Sequence, residues 1–282
     1  MIHSFLMMGQ SNMAGRGYTK EVPPIFDEHI KMQRNGLWQI MSEPVNFDRP
    51  SAGVGLAASF AACWRQDNKQ NEIGLIPCAD GGTSLDDWAI SGALFENAIS
   101  QARLAQRTSR LAGILWHQGE SDSSPEKALQ YGEKFSVIIR ALRQELHIPE
   151  VPLIIGGLGD FLSNGIFGQY FTSSPLVNQA LEDFAAAYAN SYFVTAKGLT
   201  ANADDIHFNA RSQRLLGVRY YNAFRNLQHL SDPLCDEEDI LASLYNRPYT
   251  PTEKIRLLEH EFAAGNIEPK EYLEALTLLS RK

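Results

Sequence analysis

The first candidate for catalysis is Ser11, which directly follows the apolar run Ile2 to Met8 in the segment Gly9-Gln10-Ser11-Asn12-Met13-Ala14-Gly15. The glycines allow a tight turn and a close approach of the backbone. At such a turn the hydroxyl of Ser11 lies at the end of a strand, and its own amide is free to face a bound oxygen. A helix N-cap is an equally good use of a serine, and the residue alone leaves both interpretations open.

The second candidate is His207, in Asp204-Asp205-Ile206-His207-Phe208-Asn209. A serine hydroxyl needs a base to accept its proton, and histidine is the side chain best suited to that role near neutral pH. A carboxylate on the second ring nitrogen fixes the tautomer, and Asp204 could fold back to supply it, whereas Asp205 should point elsewhere. A capping or surface turn is the structural alternative for an isolated Asp-x-x-His.

The third candidate segment is His117-Gln118-Gly119-Glu120, which follows the apolar run Leu111 to Trp116. Gln118 could donate an amide hydrogen bond to a developing oxyanion, and Glu120 could orient His207 or Gln10. A polar turn with only a structural role explains the same residues.

A glycine pair in Gly81-Gly82-Thr83-Ser84-Leu85 could bring a backbone amide to a substrate, as the second donor of an oxyanion hole. The structural alternative is an ordinary turn between a strand and a helix. Each of the four signals is weak alone, but together they place a nucleophile, a base and oxyanion donors at four strand ends.

Alternating strands and helices must position these residues. Strands are predicted at 2–8, 72–78, 111–116, 151–156 and 192–196, and helices at 55–66, 94–107, 125–146, 175–189 and 212–227. Continuous apolar strands separated by helices predict a parallel sheet covered on both faces, hence a three-layer α/β/α sandwich of the flavodoxin-like type. Sites in such sheets form at the carboxyl ends of the strands, where every segment above is predicted.

The composition changes after about residue 230. We predict a catalytic domain at 1–230, followed at 231–282 by a linker and a small helical hairpin with helices near 251–264 and from Pro269. The hairpin is too small to bury its own apolar face, so it should dock on the core or form a homo-oligomer with a second copy.

The charge and the cysteines exclude several classes of protein. The chain has 282 residues and a net charge of −8, without the clustered basic face that nucleic acid requires, and its acidity argues against an anionic membrane partner. Three cysteines without Cys-x-x-Cys spacing suggest reduced thiols rather than a zinc site. No secretory signal or bilayer-spanning stretch is evident, so we expect a cytoplasmic protein.

Taken together, the segments Gly9 to Met13, Gly81 to Thr83, His117 to Glu120 and Asp204-x-x-His207 resemble the SGNH/GDSL hydrolase superfamily. Within it they are similar to the sialate O-acetylesterases and family 6 carbohydrate esterases, which include acetyl xylan esterases.

The resemblance implies a serine esterase that removes O-acetyl groups from carbohydrates through an acetyl-serine intermediate, without metal or cofactor. It implies that Ser11 is the nucleophile, that His207 is the base and that Asp204 holds the base. The oxyanion hole would comprise the amides of Ser11 and Gly82 and the side chain of Gln118, with Gln10 and Glu120 in support.

Two other functions are compatible with the residues. His117, Glu120, Asp204 and His207 could converge on a metal in a metal-dependent hydrolase. Alternatively, the chain could be a non-catalytic sugar-binding or scaffold module. The substrate should be bound by loops such as Arg16 to Pro50 and Asp160 to Ser174, where Tyr170 could stack on a sugar, while Trp88 should pack in the core.

Overall fold

A seven-stranded sheet forms the centre of the computed structural model, which describes residues 1–280. The strands are β1 (Ile2–Gly9), β2 (Ile30–Arg34), β3 (Leu37–Ile40), β4 (Glu72–Pro77), β5 (Ser109–His117), β6 (Leu153–Gly156) and β7 (Ser191–Val194). Their order is β3-β2-β4-β1-β5-β6-β7, and all neighbours are parallel except β3, which pairs antiparallel with β2 at the edge. The predicted central parallel sheet is therefore confirmed.

Helices cover both faces of the sheet. They are α1 (Ser11–Ala14), α2 (Leu56–Asp67), α3 (Ala93–Gln106), α4 (Pro125–Leu146), α5 (Ser174–Ala187), α6 (Ala210–Asn226), α7 (Glu237–Tyr245), α8 (Pro251–Ala263) and α9 (Pro269–Ser280). Phe5 and Met7 of β1 pack with α2, α6 and α7 on one face, whereas Leu6 and Met8 pack with α3, α4 and α5 on the other. This alternation along a doubly buried strand confirms the three-layer sandwich.

Three elements were not predicted from the sequence. Strands β2 and β3 lie within the segment Arg16 to Pro50, which was expected to be a substrate loop, so nine residues of this segment extend the sheet instead. Helix α7 lies where an acidic connector was expected, and its Leu241 and Leu244 are buried against the core. The chain therefore continues to pack on the sandwich beyond residue 230.

The last two helices form the expected hairpin. A capping box of Thr250 and Glu253 begins α8, and the carboxylate of Glu253 also accepts hydrogen bonds from Arg247 and from the Glu28 amide. Phe262 and Tyr272 stack with their ring centroids 4.5 Å apart and join α8 to α9. The start of the hairpin is thus fixed to the core by buried polar contacts.

The three cysteines are unpaired, and two of them are buried. Burial raises the pKa of both the Cys63 and the Cys78 thiol to about 12, so neither forms appreciable thiolate at neutral pH. Because only Cys235 is exposed, we expect iodoacetamide at pH 8 to alkylate one thiol in the native protein and three after unfolding. Intact-mass measurement checks this, and rapid native labelling of Cys78 would contradict it.

Candidate active site

Ser11 is the first residue of α1 and lies at the carboxyl end of β1, as the sequence predicted. Gly9 has φ of 134°, and a Cβ atom at this position would lie 2.0 Å from the carbonyl oxygen of His117. Glycine is therefore required for β1 to approach the end of β5 so closely. The Gln10 amide donates to the same His117 carbonyl at 3.0 Å, which fixes the turn that presents Ser11.

The imidazole of His207 lies within hydrogen-bonding distance of the Ser11 hydroxyl. Its Nε2 is 2.9 Å from Ser11 Oγ, and its Nδ1 is 2.7 Å from Oδ2 of Asp204. A carboxylate can only accept, so Nδ1 carries a proton, and a ring with one proton presents the Nε2 lone pair to the hydroxyl. The three predicted residues are thus brought together, although they lie up to 196 positions apart in the chain.

Asp204 is held in place by the turn that it begins. Its Oδ1 accepts hydrogen bonds from the amides of Ile206 and His207, both at 2.9 Å. Partial burial would raise the pKa of Asp204, but these amides and the His207 ring outweigh it and lower the pKa below its ordinary value. Asp205 points away, as expected, and accepts from the Ile166 amide at 3.3 Å.

Two backbone amides are available to stabilise an oxyanion. Neither the Ser11 nor the Gly82 amide donates a hydrogen bond within residues 1–280, and both residues line the cleft around Ser11. Gly82 adopts φ of 79°, a conformation that favours glycine. The neighbouring Gly81 amide is not available, because it donates to Oδ2 of Asp48 at 2.8 Å.

The structure does not place Gln118 as the sequence predicted. Its side chain is fully buried, and three acceptors surround its two amide hydrogens. These are Asp122 Oδ2 at 2.6 Å, the Thr83 carbonyl at 3.0 Å and Gln10 Oε1 at 3.2 Å. In this arrangement no hydrogen is free for a substrate oxygen, and Gln118 instead ties together the loops that follow β1, β4 and β5.

Gln10 holds a neighbouring loop of the site, as a supporting residue would, whereas the contacts of Glu120 differ from those that we predicted. Oε1 of Gln10 accepts from the Gly119 and Ser121 amides at 3.4 and 3.2 Å, which holds the loop after β5 against the nucleophile turn. Within the described residues, Glu120 bonds to neither His207 nor Gln10. It accepts instead from Asn12 and lies 3.7 Å from His117.

Sequence reasoning missed the ion pair of Arg16 and Asp48. The Asp48 carboxylate binds both the Arg16 guanidinium and the Gly81 amide, so it anchors the glycine loop beside Ser11. Burial would raise the pKa of Asp48, but Arg16 and the Gly81 amide lower it below its usual range. Asp48 lies in a segment without clear periodicity, so no sequence pattern marked it as part of the site.

The cleft around Ser11 has a volume of about 410 Å³. It is lined by Gln10, Ser11, Arg16, Arg49, Ser51, Gly81, Gly82, Glu120, Ser121, Phe171, Ile206 and His207. Tyr170 is 63% exposed and is not among the lining residues, while its neighbour Phe171 is. Trp88 is fully buried, as expected. The dimensions suit a small ester or a single sugar unit.

The four residues considered for a metal form two separate pairs, His207 with Asp204 and His117 with Glu120. Among residues 1–280, no group of three or more His, Cys, Asp or Glu side chains is arranged to hold a metal ion. Ser11, by contrast, lies within hydrogen-bonding distance of the His207 imidazole and beside two amides that have no acceptor within residues 1–280.

Comparison with protein families shows to which family the chain belongs. Residues 1–226 match the family described as carbohydrate esterase, sialic acid-specific acetylesterase. The chain belongs to this family. It is therefore a carboxylic ester hydrolase with an SGNH-type fold, and its family membership supports hydrolysis of O-acetyl esters.

Individual relatives agree with this assignment. The esterase is 27% identical over 245 residues to a probable carbohydrate esterase of Arabidopsis thaliana, covering 78% of this chain and 89% of the relative. A solved structure from Arabidopsis thaliana superposes with a TM-score of 0.70 at 28% identity, over 79% of this chain and 98% of the other. NanS has the same fold, with a TM-score of 0.64 at 16% identity over 80% and 97% of the two chains.

Proposed function

We propose that this esterase removes acetyl groups from carbohydrates by a serine mechanism in which Ser11 is the nucleophile, His207 the base and Asp204 the residue that orients the base. The observation that carries the proposal is the pair of hydrogen bonds from His207, 2.9 Å to Ser11 Oγ and 2.7 Å to Asp204 Oδ2. This is the spacing that a serine hydroxyl needs to lose its proton as it attacks.

Acylation begins when Ser11 Oγ attacks the acetyl carbonyl and its proton moves to Nε2 of His207. The ester carbonyl becomes an oxyanion, which the amides of Ser11 and Gly82 stabilise without first breaking another bond, because neither amide has an acceptor within residues 1–280. When the oxyanion collapses, the bond from carbon to the sugar oxygen breaks. The sugar oxygen takes the proton from Nε2 and leaves as a hydroxyl group.

Deacylation repeats the same steps with water. His207 accepts a proton from water, the hydroxide attacks the acetyl-serine, and the same two amides bind the second oxyanion. The bond to Ser11 Oγ breaks, the proton held by His207 returns to Oγ, and acetic acid departs and becomes acetate by losing its remaining proton to solvent. The ionised Asp204 stabilises the imidazolium that forms in each half-reaction.

The substrate class is an acetylated sugar, with sialic acid esters and xylan-type acetyl esters as the two candidates. The family description favours the sialate ester. The charges in the cleft favour neither substrate. The guanidinium groups of Arg16 and Arg49 are each paired with an aspartate, so neither is free to select the carboxylate of a sialic acid. We propose measuring acetate release from an acetylated sialic acid and from acetylated xylo-oligosaccharides, with p-nitrophenyl acetate as the common reference.

A kcat/KM at least about tenfold higher for either sugar than for the reference ester supports carbohydrate deacetylation. Hydrolysis of p-nitrophenyl acetate without acetate release from either sugar would reject the carbohydrate assignment and leave the serine mechanism intact.

Replacing Asp204 with Asn is expected to lower kcat on the order of 10⁴-fold, because the amide no longer fixes the tautomer or stabilises the imidazolium. KM should change little. Hydrogen bonding favours the ionised form of Asp204, so its charge is lost only as the pH falls through its lowered pKa. At pH 8, well above the ordinary aspartate pKa, the wild-type carboxylate is ionised and the full defect should be seen.

Asp205→Asn is the matched control, since within residues 1–280 the Asp205 carboxylate accepts a hydrogen bond only from the Ile166 amide. It should retain activity within about twofold, because the isosteric amide can still accept from the Ile166 amide and does not touch His207. Equal losses in the two variants would show that the turn, rather than the carboxylate on His207, sets the rate.

We also propose that residues 1–230 carry the activity and that the hairpin mediates either docking or self-association.

Among the described residues, no helix is long and apolar enough to cross a membrane. The unpaired cysteines support the proposal that the protein acts in the cytoplasm.

A further inference from the structure

A second set of polar side chains lies behind the catalytic residues and takes no part in the mechanism above. Asn12, His117, Glu120 and Tyr220 come from four different elements, and all are at most 2% exposed. Burying so many polar groups is costly unless they bond to one another, so their mutual contacts require an explanation.

The directions of the hydrogen bonds follow from the chemistry of each group. Tyr220 donates its hydroxyl proton to the Trp116 carbonyl at 2.7 Å, so its oxygen accepts from Nδ1 of His117 at 3.2 Å. The other nitrogen of His117 therefore faces Glu120, with Nε2 3.7 Å from Oε1. Tyr220 thus fixes the ring orientation that places His117 against the carboxylate.

Glu120 remains a carboxylate in this environment. Burial would raise the pKa of Glu120, but His117 and the amide of Asn12 outweigh it and lower the pKa below its ordinary value. An ionised carboxylate can only accept, so it must receive an N–H from Asn12. This fixes which end of the Asn12 side chain carries the nitrogen.

Asn12 holds both sides of the catalytic histidine. Its Nδ2 donates to the Ile206 carbonyl at 3.2 Å, and its Oδ1 accepts from the Phe208 amide at 3.0 Å. These two residues flank His207, and Asn12 is itself the neighbour of Ser11. One amide side chain therefore spans the loop of the base and the turn of the nucleophile.

We propose that Glu120 is a positioning residue that acts through Asn12: the carboxylate, by accepting from Asn12, locks the Asn12 amide in the one orientation that holds the His207 loop against Ser11. The inference rests on the proposed roles of Ser11 and His207. A flipped amide would direct its oxygen at the Glu120 carboxylate and at the Ile206 carbonyl, and its nitrogen at the Phe208 amide. All three contacts would then be repulsive.

The test is a double-mutant cycle with Asn12→Ala and Glu120→Gln, measured as kcat and KM for p-nitrophenyl acetate. We expect Asn12→Ala to lower kcat about a hundredfold, the loss typical of a displacement of about 1 Å in a catalytic group. Glu120→Gln, which can turn its own amide nitrogen towards Asn12, should cost about tenfold, equivalent to one net hydrogen bond. KM should be unchanged in both variants.

Non-additivity is the decisive result. If Glu120 acts through Asn12, the double variant should be no slower than Asn12→Ala alone, because the second substitution removes support for a group already absent. A loss close to the product of the single losses, about a thousandfold, would overturn the proposal, as would effects confined to KM. A purely structural role would lower thermal stability without this pattern in kcat.

Two controls keep the outcomes distinct. If Glu120→Gln fails to fold, as judged by circular dichroism, Glu120→Asp replaces it in the cycle, since the shorter side chain keeps the charge but withdraws the carboxylate from Asn12. If Ser11→Ala retains activity, the proposed function fails; if Ser11→Ala is inactive but the cycle is additive, only the positioning role fails.

Discussion

Ser11→Ala is expected to lower kcat for acetyl esters on the order of 10⁶-fold, with KM little changed. The substitution removes the hydroxyl 2.9 Å from His207 but leaves the amides of residues 11 and 82 in place, so substrate should still bind. Removal of the nucleophile alone costs about this much in serine hydrolases, because the triad acts as a unit. Steady-state kinetics with p-nitrophenyl acetate measures the loss.

Ser100→Ala provides the control, since Ser100 is exposed on α3 and removes one hydroxyl in the same way. It should retain activity within about twofold. Wild-type rates in both variants would reject Ser11 as nucleophile and would also remove the basis of the mechanism.

His207→Ala is expected to cost nearly as much, again on the order of 10⁶-fold in kcat. Without the imidazole, no nearby base of suitable strength accepts the proton of Ser11. No nearby acid then returns a proton to the leaving sugar oxygen. The Ser11→Ala/His207→Ala double variant should be no slower than either single variant, since each already abolishes the same step. Kinetics of the three variants measures this.

His260→Ala is the matched histidine control, because His260 is exposed on α8 and outside the cleft. We expect it to behave as wild type. Multiplicative losses in the double variant would show that Ser11 and His207 act in separate steps, contrary to the hydrogen bond between them.

Much of the fold could be predicted because buried parallel strands have a strong sequence signal. The run from Ile2 to Met8 is apolar on both faces, and the structure buries its alternate residues in separate cores. The antiparallel edge strand β3 was missed because two of its four residues are exposed and the others only partly buried, so no apolar run marks it. Helix α7 was misread as a connector, although acidic residues in a first turn suit a helix N-terminus.

The site was predictable to the extent that it depends on strand ends meeting at one edge of the sheet. The placement of Ser11 near His207 follows from that topology. The orientation of Gln118 does not, because it depends on Asp122 and on the carbonyl of Thr83, which belongs to another loop. The role of Asn12 was equally hidden, since its partners Ile206 and Phe208 lie more than 190 positions away.

Covalent labelling tests the central claim most directly, because it reports whether Ser11 is activated rather than whether the protein folds. A fluorophosphonate probe should attach to the wild-type esterase at one site, and peptide mass spectrometry should locate the adduct on Ser11. His207→Ala should label at least about a thousandfold more slowly, since its serine has no base. An unlabelled wild type, an adduct on another residue, or equal labelling rates in the two proteins would contradict the account.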